Sequence, residues 1–211
     1  MIADRKGLRQ PTKQRLLAEG VRLFAEKGFR ETTVGEIEAA AGLQPRRGAL
    51  YRHFPSKEAL LEAALEQHLQ SLAAATPALD RAPDADQREE TISLGRWLLG
   101  ELDRERPIVR ILEQDGDRLP QLRDRFRDAL VEPGYQVTAD LARRLLGRAA
   151  HRIDIEALAA VLLGSLVNYR RSTWTFGAIP AGVDEERFLN TWADLAALAN
   201  KPRPRVRQRS A

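Results

Sequence analysis

With 211 residues the chain can bury a core without staples, and the absence of cysteine excludes disulfides and thiol chemistry. The longest apolar run, Ala157–Leu163, is far short of the ~20 residues that span a bilayer, and the charged start (Asp4, Arg5, Lys6, Arg9) does not read as a signal peptide, so a soluble protein of the reducing cytoplasm is expected. A net charge of +4 hides a division: residues 1–57 hold 12 Lys and Arg against 6 Asp and Glu, whereas residues 58–200 hold 17 against 24, which suits a basic head that meets a polyanion and an acidic body that does not.

Residues 1–11 are polar and end in Pro11; they read as a disordered start or as a basic arm. Thr12 is a fair N-cap for a first helix with Leu16, Leu17, Val21 and Phe24 at helical spacing, closed by Gly28 after Lys27. Thr33-Val34-Gly35-Glu36 is a capping box, in which the threonine caps the amides and the glutamate returns the bond. Val34, Ile37 and Ala41 form the apolar side of that second helix, and Gly42 ends it. A third short helix is expected over Leu43–Phe54, with Pro45 in its first turn. It concentrates Arg46, Arg47, Arg52 and His53 around Tyr51, with Gly48 and Ala49 as a bare spot between them. A glycine inside a helix costs about 1 kcal/mol relative to alanine, and close approach to a rigid partner is one reason to accept it. A capped helix, a glycine turn and a second short helix form a helix-turn-helix, read here as lying in a DNA groove.

Pro55 breaks the third helix and Ser56 caps a fourth, with Leu60, Leu61, Ala64, Leu65, Leu69 and Leu72 as its apolar positions. Residues 75–88 read as a loop. Helical segments follow: one around Leu94, Trp97, Leu98 and Leu102, a second opened by Pro107, and a third opened by Pro120 and interrupted or kinked at Pro133-Gly134. Asp154 caps an apolar helix running through Trp174, Gly177–Gly182 is a loop, and Asp184 caps the last helix, with Phe188, Trp192, Leu195 and Ala199 on one stripe. The tail, 201–211, holds five basic and no acidic residues and reads as disordered. The fold class is all-α. His53, His68 and His151 are scattered without metal spacing, and no nucleophile elbow, Walker loop or zinc motif occurs, so neither catalysis nor a cofactor is expected.

Thr33–Gly42, followed by Gly48-Ala-Leu-Tyr-Arg-His-Phe-Pro-Ser-Lys-Glu-Ala-Leu, resembles the DNA-binding head of the tetracycline-repressor (TetR/AcrR) family of bacterial transcription factors; the likeness covers roughly residues 12–70. One departure stands out. Family members commonly have a turn two residues shorter, and here Leu43-Gln44-Pro45-Arg46-Arg47 fills the space, expected as an extra half-turn on the reading helix. The resemblance implies a three-helix DNA-binding domain at 1–56, a helical effector-binding and dimerisation domain at 57–200, and a basic tail beyond. It implies phosphate contacts from Thr33, Tyr51 and Lys57, phosphate or packing for His53, and base reading by Arg46, Arg47, Ala49 and Arg52, with Gly48 admitting the backbone to the duplex. It also implies a homodimer through the last two helices, for which Leu162, Leu166, Tyr169, Phe188, Trp192 and Leu195 are candidates, and a small-effector pocket for which Trp97, Phe126, Tyr169 and Trp174 are candidates. Intramolecular core remains the other reading of both aromatic and apolar sets. The function so implied is a repressor released from a palindromic operator by a small molecule; an activator of the same fold or a non-specific architectural binder are the alternatives.

Overall fold

The structure, a computed structural model, describes residues 11–75 and 86–198. The N-terminal arm, most of the expected 75–88 loop and the basic tail lie outside those residues. Within them the regular structure is all helical: α1 (Thr12–Lys27), α2 (Val34–Ala40), α3 (Lys57–Ala75), α4 (Gln87–Asp115), α5 (Pro120–Phe126), α6 (Glu132–Leu146), α7 (Ile155–Phe176) and α8 (Glu185–Leu198). Among the described residues no helix is long and apolar enough to cross a membrane.

These residues pack as two compact units. One takes residues 11–75 with Arg104–Val131, the other residues 86–103 with 132–198. In the first, α3 buries Leu60, Leu61 and Leu65 in the same core as Leu16 and Phe24 of α1, Ile37 of α2 and Ile111 of α4. Each such side chain stabilises the unit by about 1.5–3 kcal/mol relative to exposure. Gly20 lets α1 and α3 approach, since a methyl there would stand 2.8 Å from Leu60 Cδ1.

In the second unit, the first part of α4 joins α6, α7 and α8 around Leu98, Leu99, Leu141, Leu166 and Leu189. Tyr169 stacks on Phe188 with ring centroids 4.2 Å apart and donates its hydroxyl to the Val183 carbonyl at 3.1 Å. The Trp192 indole N–H donates to the Leu162 carbonyl at 3.0 Å. Arg170 joins Glu185 at 2.7 Å and Asp103 at 3.3 Å.

Several sequence expectations are corrected. Thr12 is the first helical residue of α1, and Pro11 occupies the cap position. Pro107 opens no new helix but lies inside α4. An interior proline costs about 3 kcal/mol, which burial of Leu98 and Leu99 before it and Ile108 and Ile111 after it outweighs. The expected interruption at Pro133-Gly134 takes the form of a π-helical turn over Arg127–Val131, just before Pro133, whose missing amide lies inside a continuous helical run and cannot complete the regular ladder. The buried stripe of α8 is Leu189, Trp192, Ala193 and Ala196, one residue out of phase with the expectation, and Ala199 lies outside the described residues.

That phase matters for the dimer candidates. Leu162, Leu166, Tyr169 and Trp192 are spent in the chain's own core and Phe188 is half-buried, which leaves Leu195 exposed (57 %), with Val161 (69 %) and Val167 exposed on α7. Each effector candidate has partners within its own unit. Phe126 belongs to the core of the first unit, Trp97 and Tyr169 to that of the second, and the Trp174 indole donates to Asp103 at 3.1 Å.

Candidate nucleic-acid interface

The capping box at the start of α2 forms as its sequence requires. The Thr33 hydroxyl accepts from the Glu36 amide at 3.3 Å, while Glu36 accepts from the Thr33 amide at 2.8 Å and hydroxyl at 2.9 Å. Lys27 pairs with the same carboxylate. Together, Lys27 foremost, these donors hold the Glu36 carboxyl down at about 2 from an ordinary 4.5. Thr33 is therefore committed to its cap, and its hydroxyl proton reaches a phosphate only by leaving Glu36.

The segment after α2 departs from expectation. No α-helix forms over Leu43–Phe54; the backbone makes a series of turns from Ala41 to Ser56. Arg46 and Gly48 lie in the left-handed region, at φ 63° and 68°, and two such residues cannot continue a right-handed helix. The two extra residues are absorbed as loop, not as a half-turn of helix. One helical turn survives, in which the Leu50 carbonyl accepts from the amides of His53 and Phe54, both at 2.9 Å. Gly48 thus serves a backbone conformation first; a methyl there would meet no protein atom within 4 Å.

This arrangement sorts the side chains. Leu50 and Phe54 enter the head's core. Arg46, Arg47, Arg52 and His53 are exposed, as is Tyr51 at 59 %, while Gly48 and Ala49 are half-buried. Packing of Tyr51 and His53 in the core is thereby excluded. Between Tyr51 and the start of α2 lies an open cleft of about 390 Å³, bordered by Arg30, Thr33, Tyr51, Ser56 and Lys57 and by one acid, Glu58. Arg30 and Lys57 make its rim cationic, and Thr33, Tyr51 and Ser56 add hydroxyl groups.

Lys57 is less free than expected. Its ammonium donates to the Phe29 carbonyl at 2.7 Å and the Thr32 carbonyl at 2.9 Å, and lies 4.5 Å from the centre of the Phe29 ring. Burial pushes its pKa below the ordinary lysine value, against the opposing pull of Glu58, Asp115 and Glu31. It is a tie between α3 and the turn after α1 with at most one donor left for DNA.

Three residues of this region went unnoticed in the sequence. Arg30 borders the cleft. Arg15 donates from Nη1 to the Ala41 carbonyl at 2.9 Å, closing the end of α2. Glu38 is buried, and its carboxylate accepts from the Arg46 amide at 2.7 Å and the Leu50 amide at 3.0 Å. A signal for Glu38 did exist: residues 34, 37, 38 and 41 share one face of a helix, and a carboxylate among three apolar residues there needs buried partners.

Residues 16–64 match the family described as bacterial regulatory proteins, tetR family. The HTH-type transcriptional regulator YerO of Bacillus subtilis (strain 168) is 47 % identical over 57 residues, which cover 27 % of this chain and 19 % of that protein. The HTH-type transcriptional regulator TtgR of Pseudomonas putida is 26 % identical over 205 residues, 92 % of this chain and 93 % of that one. A crystal structure of a bacterial regulatory protein in the tetR family from Rhodococcus RHA1 shares the fold, with a TM-score of 0.64 at 22 % identity over 90 % of this chain and 97 % of its own. Residues 16–64, with the capped α2 and the turn segment after it, thus match the tetR family of bacterial regulatory proteins, and the helical body shares the fold of a member of that family.

Proposed function

We propose that the chain is a homodimeric, sequence-specific DNA-binding regulator of transcription, a repressor that leaves a palindromic operator when a small effector binds its helical body. One observation carries this reading. Five exposed cationic or hydrogen-bonding side chains, Arg46, Arg47, Tyr51, Arg52 and His53, stand on a single turn segment anchored by Leu50 and Phe54, beside an open cleft bordered by Arg30 and Lys57. Phosphate contacts fix register and base contacts specify sequence, so a reader needs both on one rigid surface.

Roles divide by position. Arg46 Cγ lies 3.8 Å from where a β-carbon on Gly35 would stand, so its stem lies beside the first turn of α2. That proximity favours phosphate for Arg46 and base edges for Arg47. Arginine matches guanine O6 and N7 with two parallel bonds, worth about 1–3 kcal/mol of discrimination. Arg47→Ala is expected to relax preference at particular base pairs, and Arg46→Ala to weaken all duplexes alike. Equal losses on cognate and scrambled DNA for both variants would overturn the division.

Pairing two heads places two reading turns in successive major grooves, ~34–36 Å apart. The exposed apolar residues of α7 and α8 support pairing there. Because Trp192 is bonded to Leu162, the neighbouring Val161 and Leu195 lie on the same stretch of the helix pair. Release by an effector requires differential affinity for the two spacings of the heads, and α3, which begins beside the reading turn, is the element to move. With α3 tethered to α5 through cysteines introduced at Glu66 and Arg125, which pair across them, a ligand that dissociates the untethered complex should fail to do so; unaltered release would discard that route. A gel shift tests the reading as a whole. At ~200 mM salt a specific regulator keeps its preferred palindrome, whereas binding through phosphates alone falls steeply for every duplex.

A further inference from the structure

We infer that Glu38 is the positioning residue of the reading turn, and through that turn a determinant of which base pairs are preferred; the inference rests on the DNA-binding reading above. Glu38 projects from the inner face of α2 and is wholly inaccessible, at 0 % exposure. A buried carboxylate is retained only where donors replace its water. Each of its oxygens takes one, the amide of Arg46 at 2.7 Å and that of Leu50 at 3.0 Å.

Those two amides bracket Arg47, Gly48 and Ala49. One carboxylate therefore grips both ends of the span that holds the left-handed pair, Arg46 at φ 63° and Gly48 at φ 68°. Glycine accepts that conformation freely; arginine does not, and an uncommon backbone state persists only where its surroundings over-determine it. The bond to the Arg46 amide supplies that constraint, and a bond to a charged acceptor is among the stronger kinds. Leu50, the other end of the grip, is fixed in the core at 0 % exposure. The reading turn is thereby referred to the core through Glu38. Arg47, suspended between the two held amides, presents its guanidinium from a defined origin, which two-pronged base recognition demands.

Two measurements test this. In the unmodified chain without DNA, the Arg46 amide should exchange with solvent at least tenfold more slowly than the Arg47 amide; equal rates overturn the grip. Glu38→Gln keeps the size of the side chain but turns one acceptor into a donor facing an amide. At a temperature where circular dichroism shows the variant folded, its affinity ratio between a duplex selected by the unmodified chain and a scrambled one should fall at least tenfold, with scrambled-duplex affinity within about twofold of the original. A merely structural loss would weaken both duplexes together, and an unchanged ratio would equally refute the inference. Should Glu38→Gln not fold, the exchange rates decide. Should the unmodified chain select no duplex, the DNA-binding reading fails and the specificity claim with it, while exchange still reports on the grip itself.

Discussion

Lys57 has three donors and spends two of them inside the head, on the carbonyls of Phe29 and Thr32. Lys57→Ala leaves both carbonyls without that partner, a loss of about 1–2 kcal/mol. The free protein should therefore melt at a lower temperature as well as bind DNA less tightly; an unchanged melting temperature would return Lys57 to a purely phosphate-contacting role. Glu36 makes a prediction in pH. Its carboxyl, held near 2 by Lys27 and then by Thr33, lies below its ordinary 4.5. A depressed carboxyl stabilises the fold fully above the ordinary value and loses that contribution as pH falls toward the depressed one. Unmodified chain and Glu36→Gln should differ in denaturation midpoint at pH 7 and converge between pH 4.5 and 2. A gap that stays constant across that range would contradict the cap described here.

Elements whose ends are fixed by neighbouring residues were legible in the sequence. The Thr33–Glu36 box, the Ser56 cap that accepts from the Ala59 amide at 3.1 Å, and the Asp154 cap that accepts from Ala157 at 2.9 Å depend only on residues three apart. The reading turn was not legible, because its shape is imposed from outside. Nothing near Arg46 announces a left-handed backbone; the group that holds it, Glu38, lies eight residues earlier on another element. The phase of α8 failed for a simpler reason, since Phe188 and Leu189 are adjacent and either can begin an apolar stripe. Gly48→Ala probes the turn itself. With no atom within 4 Å to obstruct the methyl, the cost is that of the left-handed backbone alone, about 1–2 kcal/mol. A denaturation midpoint equal to that of the unmodified chain would mean that residue 48 does not hold this conformation.

For the molecule as a whole, the all-helical class could be read from apolar spacing, and the likeness to the tetR family from the motif of the head. The body could not be read so far. Apolar residues at helical spacing mark a buried face without saying whether the chain itself or a second copy buries it; Leu162, Leu166 and Trp192 went to the chain, and Val161 and Leu195 remained outside. Val161→Glu and Leu195→Glu should each leave helix content intact and shift the protein from dimer to monomer in light scattering, with cooperative operator binding lost; a dimer that tolerates both charges would place the pairing surface elsewhere. The central claim is that two reading turns, each gripped from its own core, address one duplex at the spacing of successive major grooves. Selecting bound duplexes from a random pool measures this directly. The account predicts enrichment of an inverted repeat whose half-sites lie about one helical turn, 10–10.5 base pairs, apart centre to centre. A pool that emerges without enrichment, or with a single unrepeated site, would contradict it.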